Sequence, residues 1–295
     1  MRKRIIALFL VVITLLSLCA CSKKDGSSTN ASHDSSFSIQ FIDVGQGDSA
    51  LVQCDGHYML IDGGDSTAEN QVYDTLVEKG VQHLDILAIS HLHKDHIGGL
   101  IKALSYTTKI DLTICNSDYA ETKTFQEFEK ELFTNGSSIT VPQTGPEPEM
   151  GEIFRLGSAT VEVVDVSSDE DNDSLVLLIT YGKTKFLFTG DIEEAAQTRI
   201  TEKYYNDKDE PYKIDLIKMP HHGSYTGTLY QFVRTFMPDY AIISVGTGNV
   251  YGHPHQETLE LLDSKTYKPK VYRTDLDGDI IVKSNGKELS IETSK

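Results

Sequence analysis

Cysteine and positive charge are what this sequence has least of. Four cysteines occur in 295 residues, and 27 lysines and arginines face 44 aspartates and glutamates. So few cysteines exclude a disulfide framework. Two of them, Cys19 and Cys21, fall in the N-terminal leader described below. The other two, Cys54 and Cys115, each sit in an apolar strand-like run (Ala50 to Cys54, Leu112 to Cys115) without metal-ligand spacing, and read as buried free thiols. The net charge is −17; taking away Arg2, Lys3 and Arg4 with the leader leaves 24 basic residues against 44 acidic ones, or −20. A surface of that sign is soluble and repels polyanions at a distance. It argues against tight non-specific DNA binding, which rests on lysines and arginines neutralising phosphates. Internal sequence repeats are lacking too, and long apolar runs are limited to one.

That run, Ile5 to Leu18, is broken only by Thr14 and Ser17 and follows the basic Arg2-Lys-Arg4. It is shorter than the roughly 20 residues a bilayer-spanning helix needs, so it reads as a secretory leader. It ends in Leu18-Cys-Ala-Cys21, which resembles a bacterial lipobox, with a small residue before the cysteine to be modified. The expectation is a lipoprotein signal peptide over residues 1–20 and lipid on Cys21. The protein would then be anchored at the extracytoplasmic face of a bacterial cell membrane, since two or three acyl chains hold stably where one does not. Residues 21–36, rich in Ser, Lys, Asp, Asn and Gly, have no apolar period and read as a flexible tether. Residues 37–295 remain for one domain, with ample length to bury a core.

Within it, Phe37 to Asp43 alternates as a half-buried strand. Ser49 to Cys54 and Tyr58 to Ile61 flank the turn signal Asp55-Gly56. Glu69 to Lys79 puts Val72 and Leu76 on one helical face, with Gly80 as a stop. Asp85 to Ile89 is a short apolar strand that runs into a histidine cluster, and a helix begins near Ile97. The second half repeats the style. Strands are predicted at Ala159–Val164, Ser174–Thr180, Lys185–Thr189, Ile214–Met219, Tyr240–Val245, Ile280–Lys283 and Leu289–Glu292. Helices are predicted at Glu193–Lys203, Thr228–Thr235 and Glu257–Ser264. Hairpins plus βα units in each half fit an α/β protein built as a four-layer α/β/β/α sandwich. The acidic run Asp169 to Asp173 reads as a solvated loop.

The densest chemistry is His91-Leu-His93-Lys-Asp95-His96. Three imidazoles and a carboxylate bring borderline nitrogen and hard oxygen ligands together. At the end of a strand the chain is extended, so His91 and His93 point the same way. Asp95 and His96 are offset where the chain turns into a helix, a spacing that suits two adjacent ions. The bland alternative is a polar loop with chance histidines, but so many ligand types directly after a strand favour the metal site.

His-x-His-x-Asp-His resembles the signature of the metallo-β-lactamase superfamily. Phe41-Ile-Asp-Val-Gly-Gln-Gly-Asp-Ser49, Leu60-Ile-Asp-Gly-Gly64, Phe188-Thr-Gly-Asp-Ile192, Pro220-His-His-Gly-Ser224 and Tyr251-Gly-His-Pro254 narrow the likeness. In that order they resemble the C-terminal hydrolase domain of the ComEC competence proteins and its free-standing secreted relatives. The resemblance implies two divalent metal ions, zinc or manganese. His91 and His93 would hold one, Asp95 and His96 the other, and Asp191 would bridge them; the alternative for Asp191 is a helix N-cap. His221 would complete the second site, leaving His222 as a general acid or substrate contact. Asp95 and His222 are thus the candidates for direct catalytic roles. Asp62 would accept the free ring N–H of a ligating histidine, or simply make an Asp-Gly turn. Lys218, Ser224 and His253 are candidate phosphate contacts. Many superfamily members place a third histidine before the Ser174 strand; Asn172-Asp-Ser174 supplies none here, as in ComEC-like sequences, and this keeps manganese beside zinc as a candidate.

The function expected from this resemblance is metal-dependent phosphodiester hydrolysis, with single-stranded DNA as the first candidate substrate. Phosphodiesters of the cell envelope or of small molecules, such as choline phosphate esters, are the alternative that the negative charge favours. A non-catalytic binding lipoprotein is a third reading. No protein partner is implied.

Overall fold

Alternation in Phe37-Ser-Ile-Gln-Phe41 sets the pattern of the molecule. In the computed structural model Phe37, Ile39 and Phe41 are buried between two sheets, while Ser38 and Gln40 are only partly buried. Residues 36–144, 151–167, 172–204, 211–265 and 267–295 are described. The expected leader, Cys21 and the tether before Ser36 lie outside them, as does most of the Asp169–Asp173 run.

The first half of the chain supplies β1 (Phe37–Phe41), β2 (Ala50–Cys54), β3 (His57–Ile61), β4 (His83–Ile89), β5 (Lys109–Cys115) and β6 (Ile139–Thr140). The second supplies β7 (Ile153–Leu156), β8 (Ala159–Asp165), β9 (Val176–Tyr181), β10 (Thr184–Phe188), β11 (Leu216–Lys218), β12 (Tyr240–Ile243) and β13 (Lys270–Arg273), then the hairpin β14 (Ile280–Ser284) and β15 (Leu289–Thr293). One sheet has eight strands in the order β15-β14-β1-β2-β3-β4-β5-β6, the other seven in the order β13-β12-β11-β10-β9-β8-β7. Each half follows one plan. Strands β1, β2 and β3 are antiparallel and β3 to β6 run parallel. Strands β8, β9 and β10 are likewise antiparallel, and β10 to β13 run parallel.

Between the sheets Phe37 stacks on Phe186 and Tyr181, and Phe41 on Phe188. On the outer face of the first sheet lie α1 (Glu69–Lys79), α2 (Lys94–Ile97), α3 (Leu100–Tyr106) and α4 (Lys123–Thr134), which bury Leu76, Leu100, Leu104 and Phe128. The second sheet is covered by α5 (Glu194–Tyr204), α6 (Tyr230–Phe236) and α7 (Gln256–Leu262), with Ile200, Phe232 and Leu262 buried. The architecture is therefore the expected four-layer α/β/β/α sandwich. Among the described residues no helix is long and apolar enough to cross a membrane.

Helix α1 has the expected bounds and ends at Gly80 in the left-handed region (φ 66°), the conformation that terminates helices and that glycine adopts freely. Strands β6, β7 and β13 were not anticipated. Nor was α4, although Phe125, Phe128 and Leu132 have helical spacing and the Thr122 hydroxyl caps the helix by accepting the Phe125 N–H at 3.1 Å. The single helix expected from Ile97 is two short ones meeting at Gly98-Gly99. A Cβ on Gly99 would lie 2.0 Å from the Gly63 carbonyl oxygen, so glycine is what lets the α2–α3 corner close onto the loop after β3.

Candidate metal centre

The loops after β3 and β4 in one half, and after β10 and β11 in the other, meet at the same end of the sandwich. Ligand atoms of Asp95, His96, Asp191 and His222 all lie within 4.8 Å of one another, and those of Asp48, Asp62 and His96 form a second such group. Beside them His91 Nε2 and His93 Nδ1 are 2.9 Å apart. The His91 and His96 ring centroids are separated by 4.1 Å. The two half-sites written in one hexapeptide are therefore side by side.

Each buried imidazole is held by a contact at its far nitrogen. His96 Nδ1 donates to Asp62 Oδ2 at 3.1 Å, and its Nε2 faces Asp191 Oδ2 at 3.3 Å. His222 Nδ1 donates to the Ser244 carbonyl at 3.0 Å, turning Nε2 toward Asp191 Oδ2 at 3.3 Å and Asp95 Oδ2 at 3.6 Å. His91 Nδ1 lies 3.0 Å from the Ser90 hydroxyl. A ring N–H spent on a carboxylate or carbonyl is what fixes the tautomer of a metal-ligating histidine. Asp62 is itself pinned. Its backbone is left-handed (φ 54°), its N–H donates to the Ala88 carbonyl, and its Oδ1 accepts the Ser90 N–H at 2.7 Å.

The electrostatics couple buried carboxylates to buried cations. Asp48, Asp62 and Asp191 are buried together, and the buried Lys218 ammonium lies between Asp48 and Asp191. Burial raises the Asp62 carboxyl above its ordinary range. Burial also opposes charge on Asp191 and Asp48, but His222, His96 and Lys218 outweigh it and hold both low. His96 and His222 are lifted well above the usual imidazole range, because the pull of Asp191, and then of Asp62 and Asp48, exceeds the penalty of burial. His91 goes the other way, pushed well below that range by burial and by its neighbour His96. Asp48 Oδ1, Asp191 Oδ1 and His222 Nε2 are buried with no hydrogen-bond partner among the described residues, whereas buried polar atoms are as a rule paired. Imidazole nitrogens and carboxylate oxygens converging in this way fit divalent cations.

Comparison with known proteins agrees with the geometry. The family model described as "Metallo-beta-lactamase superfamily" matches residues 42–247. The chain belongs to the metallo-β-lactamase superfamily. It is also 28% identical over 264 residues to ComE operon protein 3 of Bacillus subtilis, an alignment covering 82% of this chain and 32% of that one. It is 27% identical over 237 residues to competence protein ComA of Neisseria gonorrhoeae, covering 80% and 30%. The chain thus spans about a third of the length of these relatives. The metallo-beta-lactamase fold protein YhfI of Bacillus subtilis matches with a TM-score of 0.54 at 14% identity, over 84% of this chain and 100% of its own, a likeness of fold.

Within this metallo-β-lactamase fold, three expectations about individual residues need correction. His222, not His221, enters the ligand group. Strand β11 ends at Lys218, and His221 and His222 both adopt left-handed backbone (φ 46° and 54°), so strand alternation no longer decides which ring points inward. His221 is part-exposed instead, with Nδ1 donating to Glu193 Oε1 at 3.0 Å. Lys218 does not reach the surface. It is buried against Asp48 and donates to the Gly190 carbonyl at 3.1 Å. Ser224 is buried as well, 2.9 Å from the Thr226 hydroxyl. The His253 ring stands beside both histidines, with centroids 5.4 Å from His221 and 6.2 Å from His222.

Four contributors were not singled out in the sequence. Asp48 pairs with Lys218 and lies 3.3 Å from His222 Nδ1. The signal for it was the glycine before it, since a Cβ on Gly47 (φ 122°) would lie 2.2 Å from the Asp95 carbonyl oxygen. Ser90, Ser174 and Ser244 carry no such signal. The Ser174 hydroxyl, in the segment where a third histidine was looked for, accepts the Asp191 N–H at 3.0 Å and lies 3.4 Å from His91 Nδ1.

Proposed function

We propose that this protein is a metal-dependent phosphodiesterase acting on nucleic acid at the outer face of the cell membrane, where lipid on Cys21 holds it. The observation that carries the reading is the convergence of Asp95, His96, Asp191 and His222 beside the His91–His93 pair. His91 and His93 would hold one divalent ion, Asp95, His96 and His222 the other, and Asp191 would serve both. Such ions supply a water nucleophile at neutral pH and offset charge on the phosphoryl oxygens. The remaining work falls to the chain. Asp62 and Ser244 fix the tautomers of His96 and His222, and Lys218 balances the buried carboxylates from beneath. His221 stands beside the ligand group, part-exposed, with Nδ1 engaged by Glu193. Its Nε2 is the candidate to hand a proton to the leaving oxygen. Nucleic acid is favoured by the likeness to a relative named for competence, ComA of Neisseria gonorrhoeae.

The charge of −17 and the burial of Lys218 favour a second reading, in which the substrates are small or envelope phosphodiesters. The two separate in one experiment. Protein loaded with manganese or with zinc is offered single-stranded DNA, duplex DNA and a nitrophenyl phosphodiester across a salt series. The nuclease reading expects cleavage of single strands that is lost in Asp191→Ala. It also expects a shallow salt dependence, because each phosphate contact on a single strand contributes a log–log slope of about −0.7. Turnover of the small ester with no DNA cleavage under any condition selects the second reading. Anchoring is tested separately: Cys21→Ala should release the protein from the detergent phase or block its maturation, and unchanged partitioning with an unchanged N-terminal peptide mass would overturn it.

A further inference from the structure

A row of rings runs outward from the candidate metal centre, three on the segment that follows β12 and one, Tyr225, on the turn between β11 and α6. His253, next to His221 and His222, has Tyr251 stacked on it at 5.7 Å with 24° between the planes. On its other side His255 meets it edge-on at 4.7 Å, and Tyr225 lies 5.0 Å from His255. The backbone under this row is fixed. Asn249 Oδ1 accepts the His253 N–H at 3.0 Å, Asn249 Nδ2 donates to the His253 carbonyl at 2.7 Å, and the Tyr225 N–H donates to His255 Nδ1 at 3.1 Å. Its ends nevertheless face solvent, with Tyr251 56% and Tyr225 58% exposed. Rings this large, held in place yet left bare beside a ligand cluster, are arranged for contact with something outside the chain.

Charge decides what they can take. The chain carries −17, and the lysine nearest the centre is buried against Asp48. Apart from the ions themselves, a phosphodiester therefore gains little from this lysine, and an uncharged part of the molecule is left to add to its binding. Every nucleobase offers a flat face, and stacking on aromatic side chains tolerates any sequence. Building on the phosphodiesterase reading, we propose that Tyr251 and Tyr225, with His253 and His255 between them, form a stacking subsite for the nucleobase next to the scissile phosphate. Stacking of this kind changes affinity by about five- to hundredfold per base.

The test compares hydrolysis of thymidine 5′-(4-nitrophenyl phosphate) with that of the same ester lacking the base, by metal-loaded wild type, Tyr251→Ala and Tyr251→Phe. In Tyr251→Ala, kcat/KM for the thymidine ester should fall about five- to hundredfold relative to the abasic ester, through KM rather than kcat. Tyr251→Phe should keep the wild-type ratio. An equal fall on both esters, or an unmoved ratio, overturns the subsite. If neither ester is hydrolysed, the phosphodiesterase reading fails by itself. The subsite is then decided by calorimetric binding of thymidine 5′-monophosphate against its abasic counterpart. Tighter binding of the base-bearing compound that is lost in Tyr251→Ala supports the subsite, and equal binding in the wild type overturns it.

Discussion

The loop after β4 and the loop after β11 occupy equivalent places in the two halves, and they deliver histidines differently. After β4 ends at Ile89 the chain bends at Ser90 and Leu92, is extended at His93 (φ −71°, ψ 152°) and enters α2 at Lys94. His91 and His93 meet there, Nε2 to Nδ1 at 2.9 Å, and Asp95 and His96 follow from the first helical turn. After β11 the chain passes Pro220 and takes two successive left-handed residues. One of two adjacent imidazoles is sent to the ligands and the other to Glu193. A helix start makes Asp95 and His96 readable from spacing, and two left-handed residues leave His221 and His222 unreadable. Left-handed conformation at a residue other than glycine costs on the order of 1 kcal/mol or more. Two in a row are kept here where they aim a buried nitrogen at Asp191.

The sharpest way to break this comparison is to exchange the fates of the two histidines. His222→Ala should lose one metal ion and lower turnover on the order of a thousandfold or more, because the activated water depends on the ion. His221→Ala should keep its metal and lose about a hundredfold in turnover, the scale of a proton donor. Elemental analysis beside phosphodiester kinetics separates them, and metal loss in His221→Ala with retention in His222→Ala would reverse the assignment.

Lys218 comes next. As a surface phosphate contact, its loss would raise KM and leave the fold alone. As the buried partner of Asp48 it should destabilise: Lys218→Met strands a buried carboxylate, a change of about 3–5 kcal/mol in unfolding free energy. Denaturant titration together with the KM of the folded fraction decides, and a raised KM at unchanged stability would restore the surface role. A smaller effect is expected at Asp62, which belongs to the first half but touches no metal in the proposed scheme. Asp62→Asn should weaken metal affinity about 10- to 100-fold through loss of its grip on His96, read by competition with a chelator. An unchanged affinity would reduce Asp62 to a turn residue.

The smallest effect concerns the two described thiols. Cys54 and Cys115 are free and buried. Burial pushes Cys115 up to about 12 and Cys54 above its ordinary value. Neither should react with a thiol reagent in the folded protein at neutral pH, since the thiolate is the reactive form. Labelling of both only after denaturation, followed by mass, checks this, and rapid labelling of the native chain would contradict it.

Much of the molecule follows from local pattern. Alternation from Phe37 to Phe41 and helical spacing over Glu69–Lys79 each commit a segment to one face of a layer, because burying apolar side chains at a fixed period leaves few other arrangements. The His91–His96 hexapeptide declares its own chemistry because its ligand types are crowded into six residues and its last two ligands sit in the first turn of a helix. What the sequence could not decide is what depends on distant partners. That β14 closes the first sheet against β1, rather than extending the second, rests on pairing across the length of the domain. Lys218 reads as a charge, and a charge is expected outside; only the meeting of β11 with the Gly47-Asp48 loop gives it a carboxylate to be buried with. That His222 rather than His221 joins the group with Asp95, His96 and Asp191 was likewise decided by tertiary structure, because two left-handed residues erase the periodicity by which a sequence shows where its side chains point.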